Sequence, residues 1–146
     1  MGEVHLHVTS VTITAPDPRS LAGFYARLLD RPVTAEEGPR PGEPPKAGWA
    51  QIRSRDGSRG STLNFEYEKQ WTPPTWPSEP GEQHATQHLD IQISDLDAAV
   101  EHAISAGASL APVQPQQRVR VLLDPAGHPF CLSTWDGPHL DDEPDE

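Results

Sequence analysis

The chain has 146 residues, 34% of them hydrophobic, and a formal net charge of −11. This length suffices for one compact domain with its own core, and the acidic balance argues against binding to nucleic acid or to an anionic membrane. No signal peptide or membrane span is expected, and the single cysteine, Cys131, cannot form an internal disulfide, so we expect a soluble cytoplasmic protein.

The first predicted unit is a strand followed by a helix. In SVTITA, residues 10–15, polar and apolar residues alternate, which predicts a half-buried strand. Asp17 is a favourable N-cap and Pro18 suits the first helical position. Apolar residues then recur at intervals of three and four and predict one buried stripe, formed by Leu21, Phe24, Tyr25, Leu28 and Leu29. Pro32 is expected to stop the helix.

The same order of elements recurs in the second half of the chain. HLDIQI, residues 88–93, alternates in the same way. When the sequences of the two units are aligned, Ser10 corresponds to His88. Ser94 or Asp95 is expected to cap the second helix, and Gly107 fits its C-terminal cap position. The predicted buried stripe of this helix consists of Leu96, Val100, Ala103 and Ile104.

Each strand–helix unit is followed by three more predicted strands. Those of the first half lie near 32–36, at 48–54 and at 62–68, and those of the second near 109–113, at 117–123 and at 129–134. Turn-forming sequences at 55–61 and 124–128 join the last two strands of each half. The sequence therefore predicts an α+β fold of two βαβββ modules, which form paired, cupped mixed sheets with one main helix on the outside of each.

The predicted division of the chain has four parts. Residues 1–70 form the first module, 71–83 a Pro-rich linker, 84–135 the second module and 136–146 an acidic tail, and the two modules together make one structural domain. Because each sheet can bury its apolar face under its own helix, we expect the polar faces to line a shared ligand cavity. The alternative, in which these faces simply meet solvent, stays open.

Three segments resemble a known superfamily. VTITAPDPRSLAGFYARLL, HLDIQISDLDAAVEHAISAGA and VLLDPAGHPFCL look like parts of the vicinal oxygen chelate superfamily, which includes glyoxalase I, extradiol dioxygenases and bleomycin-resistance proteins. The resemblance is nearest to its glyoxalase-like members and covers roughly residues 8–134. It implies the paired βαβββ fold, but that fold serves several unrelated chemistries.

The resemblance also implies where a metal would bind. Metal-using members place His, Glu or Gln ligands at four equivalent strand positions, which correspond here to Ser10, Asn64, His88 and Cys131. Only His88 matches that pattern, since a hydroxyl and an amide are poor ligands and Cys131 replaces a carboxylate. We therefore expect no metal cofactor. If a divalent Zn, Ni, Mn or Fe ion does bind, His88 is the best candidate ligand.

The predicted function is the binding of a small molecule in the cavity between the modules, without a metal. The expected cavity residues are Ser10, Asn64, His88, Asp90 and Cys131. The tryptophans could add flat apolar walls or could serve ordinary packing: Trp49, Trp71, Trp76 and Trp135.

Two other functions stay open. The first is a metal-dependent lyase, isomerase or dioxygenase of the glyoxalase type, or a metal-free acid–base enzyme that uses His88 and Asp90. The second is an interaction module that uses the acidic tail. No catalytic residue is assigned. The modules could pair within one chain or between two chains, and we expect a homodimer.

Overall fold

The computed structural model describes residues 4–55 and 62–134, and the chain divides into two compact units, Met1–Trp71 and Thr72–Glu146. The acidic tail, Trp135 and most of the predicted turn at 55–61 lie outside the described residues. Neither helix in the described part is long and apolar enough to cross a membrane.

The first unit contains one four-stranded mixed sheet. Its elements are β1 (Ser10–Ala15), α1 (Pro18–Leu29), β2 (Ala35–Glu37), β3 (Trp49–Ile52) and β4 (Thr62–Tyr67). The strand order is β1-β4-β3-β2, with β1 parallel to β4 and the other neighbours antiparallel. The last strand in sequence is thus an inner strand of the sheet.

Helix α1 begins and packs as its sequence predicts. The Asp17 carboxylate accepts a hydrogen bond from the Ser20 backbone N–H at 3.2 Å, and Pro18 occupies the first turn. The ring of Tyr25 stacks on that of Phe65 from β4, with centroids 5.6 Å apart. The helix ends at Asp30, in the left-handed conformation with φ 51°, before Pro32 is reached.

The second unit repeats this architecture. Its elements are β5 (Leu89–Gln92), α2 (Leu96–Ala106), β6 (Ser109–Leu110), β7 (Val119–Leu123) and β8 (Pro129–Ser133). The strand order is β5-β8-β7-β6, with β5 parallel to β8. Two four-stranded mixed sheets, each with one helix, confirm the prediction of an α+β fold with two βαβββ modules.

Helix α2 has its predicted caps but not its full predicted stripe. Asp95 accepts a hydrogen bond from the Ala98 N–H at 3.1 Å, and Gly107 ends the helix with φ 130°. The buried positions are Ala103 and Ala106, whereas Ile104 is 48% exposed, so its predicted burial is wrong. Small alanine side chains let a helix lie close to a sheet, and residue 104 lies about 100° around the helix from residue 103.

Both faces of the second sheet bury apolar residues, which simple alternation does not predict. Phe130, Leu132 and Leu122 are buried on one face, and Val119, Val121 and Cys131 are buried on the other, where Trp76 packs against them. The expected polar face is therefore found on β5 but not on β7, because Trp76, from the predicted linker, covers apolar residues there.

Candidate functional site

The polar face of the first sheet carries a chain of neutral hydrogen bonds. The Gln51 amide donates to the Asn64 side-chain oxygen at 2.9 Å, and the Asn64 amide donates to the Ser10 hydroxyl at 3.0 Å. Strand register explains the contact, since Gln51 on β3 lies opposite Asn64 on β4, and β1 runs along the other side of β4. All three side chains are half-buried and carry no charge.

The edge strand β5 and its inner neighbour β8 carry a group of different chemistry, formed by His88, Asp90 and Cys131. In the parallel pairing of β5 with β8, Asp90 lies directly opposite Cys131. His88 precedes Asp90 by two residues and therefore shares its face, with Nε2 3.4 Å from Asp90 Oδ1. One ligand atom from each of the three residues lies within 4.8 Å of those of the other two.

The Cys131 thiol is held in its protonated form. Burial, and then the neighbouring Asp90 charge and a hydrogen bond to that side chain, raise the pKa of Cys131 from 9.0 to about 11. Because the thiolate is the nucleophilic form of cysteine, Cys131 is a poor nucleophile near neutral pH in the absence of a cation. The raised pKa thus argues against Cys131 as a catalytic nucleophile.

An apolar wall stands beside this group. Trp76 is partly buried against Ala111, Val119, Val121 and Cys131. The side chains of His88 and Asp90 are 51% and 73% exposed, and Asp90 lies opposite Cys131, so polar groups accessible to solvent neighbour a member of this apolar cluster. Such a combination suits a ligand with an apolar body and a few hydrogen-bonding groups.

The structure divides the five predicted cavity residues between the two units. Ser10 and Asn64 lie together in the first, and His88, Asp90 and Cys131 lie together in the second. Sequence reasoning missed Gln51, although its position between buried Ala50 and Ile52 would have placed it on the polar face. Trp76 was not distinguished from the other three tryptophans, because it contacts residues far along the chain and such contacts leave no local sequence signal.

The donor groups of the first unit do not fit the family's metal centre. The Asn64 amide oxygen already accepts a hydrogen bond, the Ser10 hydroxyl is a weak ligand, and no carboxylate takes part in the hydrogen-bonded chain. Ser10 and Asn64, two of the four positions that the resemblance assigns to a metal, therefore supply no strong ligand. The second unit has three donors of its own, because Asp90 adds a carboxylate that the family's positions do not include.

The comparisons with known proteins agree with this architecture. Residues 10–133 match the family model described as Glyoxalase-like domain. The chain therefore belongs to the glyoxalase-like domain family. No match is found among curated protein sequences.

Solved structures of the same superfamily share the fold at low sequence identity. A mutant of the fosfomycin resistance protein FosX from Listeria monocytogenes, complexed with Mn(II) and 1S,2S-dihydroxypropylphosphonic acid, has a TM-score of 0.65 and 13% identity over 90% of this chain and 94% of that chain. TnmS3, an antibiotic binding protein from Streptomyces sp. CB03234, has a TM-score of 0.52 and 17% identity over 90% and 98%. A glyoxalase/bleomycin resistance protein/dioxygenase family enzyme from Burkholderia phytofirmans PsJN has a TM-score of 0.58 and 16% identity over 87% and 97%. Identities this low establish a common fold.

Proposed function

We propose that this protein binds a small organic molecule at the second module, against Trp76 and beside His88 and Asp90. The observation that carries the proposal is the position of Cys131, which belongs to the apolar cluster under Trp76 and lies opposite the solvent-accessible Asp90. The aromatic ring would supply apolar contact area, and the imidazole and carboxylate would orient the ligand by hydrogen bonds. Direct binding of this kind needs no metal.

The family supports a binding role without specifying the ligand. TnmS3 is described as antibiotic binding and shares this fold, but one fold can serve unrelated functions. The homodimer and the cytoplasmic location that the sequence suggests stay predictions.

A thermal-shift screen of metabolites and antibiotics, in the presence of a chelator, tests the proposal. A ligand at 100 times its dissociation constant stabilises the folded state by about 2.7 kcal/mol, which raises the melting temperature measurably. Trp76→Leu and Asp90→Asn should weaken the binding of any hit. His102→Ala and Asp97→Asn are matched controls on α2, which packs on the other face of the sheet. A broad screen without a hit, or hits that all four variants bind equally well, would refute the proposal.

The alternative function is a metal-dependent enzyme of the glyoxalase type. Two observations favour it, namely the three donor atoms of the second unit and the likeness of the fold to a FosX structure that contains Mn(II). A bound divalent cation would polarise neighbouring oxygens of a substrate. Elemental analysis of protein purified without chelator, followed by soaking in transition metals, decides this alternative, and a metal-free result on both counts would exclude it.

A further inference from the structure

We infer that His88, Asp90 and Cys131 form a binding site for a zinc-type cation that lies entirely within the second module. This site differs from the family's four-position centre because it includes Asp90 and takes no ligand from Ser10 or Asn64. It provides one nitrogen, one oxygen and one sulfur donor, and each of these three ligand types binds zinc in proteins.

The distances between the donors are close to those of a tetrahedral site. Zinc bond lengths of about 2.0–2.3 Å imply ligand atoms about 3.4–3.7 Å apart at the edges of the tetrahedron. His88 Nε2 and Asp90 Oδ1 are already 3.4 Å apart. The whole group lies within 4.8 Å, so the largest closure required is about 1 Å.

The closer approach of the three ligand atoms depends on movement of the His88 and Asp90 side chains. Cys131 lies on the inner strand β8 and is 9% exposed, so the sheet fixes its backbone. The side chains of His88 and Asp90 are more than half exposed and can rotate towards the Cys131 sulfur. Cys131 also belongs to the apolar cluster against which Trp76 packs, and three protein ligands leave a fourth position for water or an organic ligand.

The donor set also selects the class of cation. Thiolate and imidazole favour zinc, cobalt and similar transition ions, whereas Mg²⁺, Ca²⁺ and Mn²⁺ prefer oxygen ligands. On binding, the sulfur–metal bond forms as the thiol proton leaves for the solvent. The cation site shares His88 and Asp90 with the proposed function but does not rest on it, because binding of the organic ligand is tested on the metal-free protein.

Titration of the full-length, metal-stripped protein with Co²⁺, followed by displacement with Zn²⁺, tests the inference. A thiolate-bound, four-coordinate cobalt ion gives a sulfur-to-metal charge-transfer band and intense visible bands. We expect both from the wild-type protein, and we expect excess Zn²⁺ to abolish them. Cys131→Ser should remove the charge-transfer band. His88→Ala and Asp90→Asn should each weaken binding about tenfold or more, because even the loss of a group that only supports a ligand costs 10- to 100-fold.

Control variants distinguish this site from nonspecific cation binding at the acidic surface. His102→Ala and Asp97→Asn should retain the wild-type affinity, and far-UV circular dichroism should show every variant folded. The inference is overturned if folded wild-type protein gives no charge-transfer band in excess Co²⁺, or if Cys131→Ser leaves the band unchanged. Weaker cobalt binding by Asn64→Ala would place the cation between both modules and would also overturn it. Thermal-shift data collected with chelator are unaffected by any of these results, so the two proposals fail separately.

Discussion

Replacement of Asp90 by Asn should lower the pKa of the Cys131 thiol in the metal-free protein. The rise from 9.0 to about 11 has burial as its largest cause, followed by the Asp90 charge and the hydrogen bond to Asp90. Asp90→Asn removes the charge but leaves the burial, so the pKa should fall and still exceed 9.0. The full rise of about 2 pH units corresponds to about 3 kcal/mol at 1.36 kcal/mol per unit, which is the upper limit for the contribution of Asp90.

The chain contains one cysteine, so a single signal reports on this site. Titration of the isotope-labelled cysteine β-carbon by NMR, in the presence of a chelator, gives the pKa directly. Asp97→Asn removes the same charge from the exposed first turn of α2 and should leave the titration midpoint unchanged. A wild-type midpoint at or below 9.0, or equal midpoints for wild type and Asp90→Asn, would refute the assignment of the raised pKa to burial and the Asp90 charge.

The raised pKa of the Cys131 thiol also determines whether this group raises or lowers the free energy of unfolding as the pH increases. Between pH 9 and about 11 the unfolded chain loses the thiol proton while the folded protein keeps it. The unfolded state then binds fewer protons, so this group lowers the free energy of unfolding as the pH rises through that range. Chemical denaturation should show that Cys131→Ala loses less stability than the wild-type protein over the same interval.

Three pairs of substitutions test the fold by urea denaturation. Gly48→Ala should lower the free energy of unfolding by about 3 kcal/mol or more, because φ is +129° and the new Cβ would lie 2.3 Å from a backbone oxygen. Gly42→Ala, with φ +88° and open space around it, should lower it by about 1 kcal/mol. Equal losses of stability in the two variants would contradict this reasoning. Phe65→Ala should cost about 3–5 kcal/mol of stability, whereas Ile104→Ala, at a half-exposed site, should cost less than about 1 kcal/mol. A larger loss for Ile104→Ala than for Phe65→Ala would indicate that Ile104 is buried, as the sequence predicted. Asp124→Ala should cost about 3 kcal/mol, because this buried carboxylate accepts hydrogen bonds from two backbone N–H groups of its turn, and Asp124→Asn, which keeps an acceptor, should cost less.

Local chemistry in the sequence predicted most of the fold. Asp17 with Pro18, and Ser94 or Asp95 with Gly107, mark helix ends by interactions between residues close in the chain. The structure confirms Asp17, Pro18 and Gly107 and assigns the second N-cap to Asp95. Alternation likewise located the main strands. The exposure of Ile104 could not be predicted, because the rotation of α2 depends on how closely its alanines approach the sheet.

The site was less predictable because it depends on strand register. The sequence placed His88 and Asp90 on one face, but only the parallel pairing of β5 with β8 shows that Asp90 lies opposite Cys131. This pairing changes the prediction about metal binding, because the Asp90 carboxylate adds a third possible metal ligand to the His88 imidazole and the Cys131 thiol. The packing of Trp76 on the second sheet is likewise long-range, and composition alone indicates only a Pro-rich segment.

The order in which the strands are made differs from the order in which they pair. In each sheet the strand that is last in sequence lies between the first and the third: β4 joins β1 to β3, and β8 joins β5 to β7. A growing polypeptide therefore holds β5 without its partner until the ribosome has synthesised residues 129–133. Cys131 belongs to that final strand, so the thiol meets Asp90 in the same event that closes the second sheet, and a partly translated module contains neither a complete sheet nor a complete set of donors.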